Sequence, residues 1–195
     1  MDSLLLREER SLRALLKEVD GLLKGMDRDL RIMEVCGTHT MTAYRSGLGN
    51  LLRKKGLQLI SGPGCPVCIT PDAIVGAAAT LVTERPDIVL ASFGDMLRVP
   101  TRKGSLLHLV PASGSAVKTI YSPEEALDIA RASPGKQVVF LAVGFETTIP
   151  SIAWIVGEAE RSGLKNLSFL TCLRLVPPPL RAILASGESG LDRFI

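Results

Sequence analysis

Three of the four cysteines in this chain stand in two short motifs, Cys36-Gly37-Thr38-His39-Thr40 and Gly62-Pro63-Gly64-Cys65-Pro66-Val67-Cys68. The two-residue spacing of Cys65 and Cys68 lets one thiolate attack its neighbour, and a helix expected just after the pair favours negative sulfur at its N-terminus. A redox-active pair is one reading. A second is zinc, because Cys36, His39, Cys65 and Cys68 together supply three thiolates and one imidazole with short spacings. Structural zinc usually staples a small knuckle with little other core, whereas these motifs are expected at strand ends of a large apolar domain, which favours chemistry. The Thr38 and Thr40 hydroxyls and the His39 imidazole are placed to hydrogen-bond a thiolate or a metal-bound anion, with a helix-capping turn as the plainer role for Thr38.

These loops need strands to present them. Residues 30–35 and 57–61 read as strands, each running into one cysteine motif, with residues 41–55 helical between them and broken at Gly47-Leu48-Gly49. If the two strands are parallel, both loops open at one sheet edge. Ahead of them Leu12, Leu15, Leu16, Val19, Leu22 and Leu23 recur at helical spacing, so residues 3–24 are expected to form an amphipathic packing helix. Thr70-Pro71 reads as a cap with proline at the first helical position, and Ile74, Ala78, Leu81 and Val82 as the buried stripe that follows.

Beyond the third strand, residues 87–93, the stretch 94–115 lacks periodicity and is the expected domain boundary. A strand at 117–121 follows, then Ser122-Pro123-Glu124-Glu125 with the marks of a capping box. Residues 137–143 form an apolar run typical of a strand covered on both faces, residues 148–162 a helix, residues 167–172 a strand, and Pro177-Pro178-Pro179 opens a last short helix ending near Gly187. The rhythm predicts an α/β protein of two Rossmann-like parallel halves, 1–100 with the cysteine motifs and 101–195, behind a leading amphipathic helix. Residues 191–195 look like the start of a further strand, so a truncated second half is expected.

Gly144-Phe145-Glu146-Thr147-Thr148 follows the apolar strand and presents Glu146, Thr147 and Thr148 at a carboxyl edge, with an ordinary helix cap as the plainer role. Cys172 reads as a small buried hydrophobe, His108 as a surface or packing residue, and Glu34 as a carboxylate at the core edge paired to an arginine, with no functional role. With 195 residues, 46% of them hydrophobic, the chain can bury a sizeable core. A net charge of +3 and scarce aromatics give no case for nucleic acid. No apolar run approaches the roughly 20 residues a membrane span needs, and the N-terminus lacks a secretory pattern. A cytoplasmic location is expected, where cysteines serve as thiols or ligands. The third glycine of a dinucleotide fingerprint, a Walker run and a Gly-x-Ser-x-Gly elbow are all missing.

Taken together and in this order, the Cys36–Thr40, Gly62–Cys68 and Gly144–Thr148 motifs closely resemble the HypD family of hydrogenase maturation factors, and Pro177-Pro178-Pro179-Leu180-Arg181 is similar to that family's proline-rich segment. The resemblance implies a scaffold on which the Fe(CN)2CO moiety of [NiFe] hydrogenases is assembled with the chaperone HypC, rather than a conventional turnover enzyme. Cyanide would come from HypE, supplied by HypF, and the hydrogenase large subunit would be served indirectly. By the same resemblance Cys36 would hold the iron jointly with a HypC cysteine, His39 would lie near it, and Cys65 with Cys68 would form the thiol/disulfide pair. Gly62, Gly64, Thr38, Thr40, Glu146, Thr147 and Thr148 are carried as family-motif residues. Family members continue into a region whose cysteines bind a [4Fe-4S] cluster, and this chain has no such group of cysteines.

Overall fold

The computed structural model describes the backbone of residues 2–101, 104–109, 111, 114–187 and 190–195, and the side chains of those from residue 10 onward apart from Thr38. It is an α/β chain with two parallel sheets and two compact units, 1–65 with 182–195, and 66–181.

The first unit opens with helix α1 (Asp2–Leu23), continues through β1 (Leu30–Glu34), α2 (Gly37–Arg45), α3 (Leu48–Arg53) and β2 (Leu57–Ser61), and is completed by β7 (Arg193–Phe194). The strand order is β2-β1-β7, all parallel, with Leu30 opposite Leu57 and Glu34 opposite Ser61. The break between α2 and α3 falls at Gly47, as the glycines predict. Residues 191–195 do carry a strand, which pairs with Ile32 and Met33 of β1. Its anchor is Asp192. The carboxylate accepts from the Arg31 backbone N–H at 2.7 Å and from both terminal nitrogens of Arg28.

Those contacts, the Arg28 hydrogen bond foremost, lower Asp192 from 3.8 to about 2. A depressed carboxylate stabilises the state that depresses it while it is ionised, so the contribution is complete above about pH 4 and is lost as pH falls toward 2. Protection of the Asp192 and Ile195 amides, which donate to Arg31 O and Met33 O, is therefore expected to decline through that window in hydrogen exchange. Asp192→Asn should abolish the decline; an identical pH profile in the variant would assign it to other groups.

The first unit buries little. Met33 and Glu34 are its buried residues among those described, and α1 forms as expected but leaves Leu12, Leu15 and Leu22 exposed. The expected packing role therefore reduces to the half-buried Leu16, Val19 and Leu23, with Lys55 paired to Asp20 at 2.6 Å.

The second unit holds α4 (Asp72–Glu84), β3 (Ile88–Phe93), α5 (Gly94–Leu97), β4 (Ala116–Ile120), α6 (Glu124–Ala132), β5 (Gln137–Gly144), α7 (Ile149–Arg161) and β6 (Leu167–Leu173), before α8 (Pro177–Ala185) returns the chain to the first. Its sheet, β4-β3-β5-β6, is parallel throughout. Successive strand residues point to opposite faces. Leu90, Val139, Leu141 and Val143 accordingly pack with Val75, Ala78 and Val82 of α4, and Ala91, Phe140 and Ala142 with Leu127, Ile152 and Ile155 of α6 and α7. Both faces are covered, which is why β5 is an unbroken apolar run.

Three local readings change. Thr70 does not cap α4: the cap position is Pro71, and the Thr70 hydroxyl donates to Pro66 O at 2.7 Å, closing the turn that carries the cysteine pair. At α6 the cap position is Pro123, but the Glu125 carboxylate accepts from the Ser122 N–H, the returning half of a capping box. Residues 94–115 lie inside the second unit, and Met96, Leu97 and Leu106 are fully buried in its core. Their spacing is set by short helices and turns, so no periodicity announces them.

Candidate functional site

β1 and β2 are neighbours and parallel, so the Cys36 loop and the Gly62–Cys65 loop leave the same edge of one sheet. Cys36 is the residue before α2 and occupies its cap position with extended backbone; its carbonyl accepts the first helical hydrogen bond from Thr40 N–H. The expected capping role of Thr38 is not observed, because Thr38 lies within the first turn of α2. The expectation for its hydroxyl falls outside the described side chains.

The residue that organises this edge is Glu34. It is 6% exposed, and its partners are not arginine. Oε1 accepts from Cys36 N–H at 3.0 Å and lies 3.3 Å from His39 Nδ1; Oε2 accepts from the Thr40 hydroxyl at 2.9 Å. The Glu34 backbone carbonyl accepts from Gly62 N–H at 2.8 Å, tying the second loop to the first. A Cβ on Gly62 would stand 2.6 Å from that carbonyl oxygen and 3.0 Å from Met33 Cγ, so only glycine lets the loops approach. Gly64, at φ +93°, needs glycine for a different reason, since it turns the chain through left-handed backbone immediately before Cys65. The motif glycines thus shape the backbone that carries Cys36, His39, Cys65 and Cys68.

The structure brings Glu34, Cys36, His39 and Thr40 into one cluster. The His39 side chain is 72% exposed, so the imidazole reaches solvent from a buried carboxylate anchor. A cavity of about 150 Å³ between α2, α3 and β2 has Glu34, Thr40, Tyr44, Asn50 and Arg53 in its wall. Cys65 ends this stretch of the first unit and Pro66 begins the second, where Val67 packs against the α4 core and Cys68 is exposed. All four cysteines are thiols rather than disulfides.

In the second unit Glu146 Oε1 accepts from Val176 N–H at 2.8 Å, and Gly144 O accepts from Arg174 N–H. The glutamate fastens the loop after β6, just before the proline-rich α8, to the loop after β5. Thr148 occupies the cap position of α7 without a side-chain cap bond, and Thr147 is exposed. Cys172 is 3% exposed among apolar side chains, and exposed His108 shares a 2.8 Å contact with the Ser105 hydroxyl. Both match their plainer readings.

Among the described residues no group of three or more His, Cys, Asp and Glu side chains is gathered as a metal site. A [4Fe-4S] cluster does not fit the cysteines present, since Cys172 is sealed in an apolar core and the remaining three cannot make a four-ligand set. The sulfur of Cys36 is a soft donor.

Comparison with known proteins decides the family. The HypD model, described as the hydrogenase formation hypA family, matches residues 10–195. The chain belongs to the HypD family. It is 43% identical over 169 residues to the hydrogenase maturation factor HypD of Rhodobacter capsulatus, covering 87% of this chain and 44% of that protein. Similar relatives are HypD of Azotobacter vinelandii, 44% identical with 86% and 45% covered, and HypD of Escherichia coli (strain K12), 38% identical with 87% and 44% covered. The chain spans less than half the length of these curated relatives. Among the described residues, no helix is long and apolar enough to cross a membrane.

Glu34 is the residue of this cluster that motif reading passes over. Its signal is present in the sequence as Glu34-x-Cys36-x-x-His39-Thr40, donors placed two, five and six residues after a carboxylate at a strand end. Recognising it requires knowing that the helix begins at Gly37 and folds those donors back.

Proposed function

We propose that this chain acts in hydrogenase maturation, in the cytoplasm, as a scaffold on which the Fe(CN)2CO moiety is assembled with HypC. In this reading Cys36 holds the iron cargo jointly with a HypC thiol, His39 stands beside it, and Cys65 with Cys68 cycles between dithiol and disulfide. HypE, charged by HypF, donates cyanide, and the finished moiety passes on toward the hydrogenase large subunit. The observation that supports the reading is the shared edge: the Cys36 loop and the Gly62–Cys65 loop leave parallel β1 and β2 at the same end of one sheet, and Gly62 is locked to Glu34 there. The chemistry agrees with the residues, because thiolates bind low-valent iron and oxidation of a dithiol to a disulfide releases two electrons with two protons.

The test is an anaerobic pull-down of this chain with HypC, followed by iron analysis and infrared spectroscopy of the complex. Cyanide and carbon monoxide stretching bands with about one iron per complex are expected. A complex that forms without iron or those bands, or no complex at all, would overturn the scaffold reading. Tight stoichiometric zinc whose removal unfolds the domain would instead support an interaction module built on Cys36, His39, Cys65 and Cys68.

A further inference from the structure

We propose that Glu34 is the positioning residue of the Cys36 site, and that it does so by selecting which nitrogen of His39 faces the cargo. The inference rests on the reading of Cys36 as the iron-holding thiol and adds a residue and an orientation to it.

The argument starts from the buried carboxylate. A glutamate 6% exposed must have its oxygens satisfied. Two hydrogen bonds meet them, from the Cys36 N–H at Oε1 and the Thr40 hydroxyl at Oε2, and His39 Nδ1 lies 3.3 Å from Oε1. Neutral imidazole has one N–H and one bare nitrogen, and a carboxylate can only accept. The tautomer compatible with a carboxylate oxygen 3.3 Å from Nδ1 carries its proton there. Nε2 is then left with an open lone pair on a ring that is largely exposed. The same Oε1 that orients the ring also holds the Cys36 backbone, so the thiol-bearing residue and the imidazole are indexed to one atom.

This is the arrangement by which ligating histidines are generally set, with the outer nitrogen donating to a carboxylate and the inner one directed at the metal. Thr40 completes it from α2. Its hydroxyl occupies Oε2 and so holds the carboxylate plane that aims Oε1 at His39 and Cys36. Glu34 itself touches no cargo in this assignment; it acts through His39 and Cys36.

The experiment is long-range ¹H–¹⁵N correlation spectroscopy of the ¹⁵N-labelled chain under anaerobic, alkaline conditions. The chain has only two histidines, and His108→Gln assigns the remaining imidazole to His39. The wild-type spectrum should show protonated Nδ1 and bare Nε2. Glu34→Gln, which keeps a carbonyl acceptor, should retain that tautomer, and Glu34→Ala should shift His39 toward the Nε2–H form. In the HypC complex, Glu34→Ala should weaken iron retention by about 10- to 100-fold and Glu34→Gln by less. A wild-type His39 already in the Nε2–H form, or a tautomer indifferent to Glu34→Ala, would overturn the assignment. Should Glu34→Ala not fold, the wild-type spectrum still decides the tautomer. The two readings fail separately: an Nδ1–H tautomer in wild type, lost in Glu34→Ala, beside a wild-type complex that holds no iron would sink the scaffold and leave the Glu34 assignment standing.

Discussion

Cys36→Ala is expected to abolish retention of the iron moiety in the HypC complex, a loss of all detectable cyanide and carbon monoxide bands, while leaving the fold intact. The fold should survive because Cys36 meets Glu34 through its backbone N–H, which alanine keeps, and because its carbonyl still receives Thr40 N–H. Cys65→Ala and Cys68→Ala should act differently. Each removes one half of a dithiol, so reversible loss of two titratable thiols on mild oxidation should vanish, while HypC binding through Cys36 persists. Cys172→Ala is the internal control. Its sulfur is buried against Val143 and its neighbours in the second unit's core, so the variant should lose about 1 kcal/mol of stability and neither function. Thiol counting before and after oxidation, with iron analysis on the same preparations, checks all four. Unchanged iron retention in Cys36→Ala, or reversible oxidation persisting in Cys68→Ala, would break the division of labour between the sulfurs.

The strands that carry the cysteine loops could be read from the sequence because strand ends are marked well by their composition. β2 is observed at the boundaries expected, and β1, β3, β4, β5 and β6 within one or two residues, since each is a short apolar run closed by glycine, proline or a polar residue. Parallel pairing followed from the intervening helices, and with it the shared edge for the cysteine loops. What the sequence hid was long-range or side-chain specific. Gly62 reads as a turn glycine; that it must lack a Cβ to pass the Glu34 carbonyl depends on β1 lying beside β2. Glu34 reads as a charge inside a strand, for which an arginine is the usual partner, and only the backward fold of α2 supplies Cys36, His39 and Thr40 instead. The exposed stripe of α1 has the same origin: periodicity reports that one face is apolar, not whether anything covers it.

Burial is unevenly divided, and the largest stability effect should follow that division. Phe140 is fully buried at the centre of β5, meeting Phe93 edge-on at 5.7 Å between ring centroids and Phe169 at 6.2 Å. Phe140→Ala removes those contacts together with the packing against Leu127, Ile152 and Ile155, and losses of this kind run to about 3–5 kcal/mol. Against a typical domain stability of about 5–15 kcal/mol, that is a large fraction. Hydrogen exchange gives it an address. Amides of β3, β5 and β6 open only with their whole core, so their protection should fall by about two to four orders of magnitude. Amides of β1 and β2 sit in a unit whose described buried residues are Met33 and Glu34 alone, and their exchange is set by local opening of that small sheet. Their protection should change less than tenfold. An equal fall in both sheets would show a single cooperative structure and would mean that the cysteine edge draws its order from the Phe140 core; a fall confined to β3, β5 and β6 would show that it is held by its own contacts, with Glu34 at their centre.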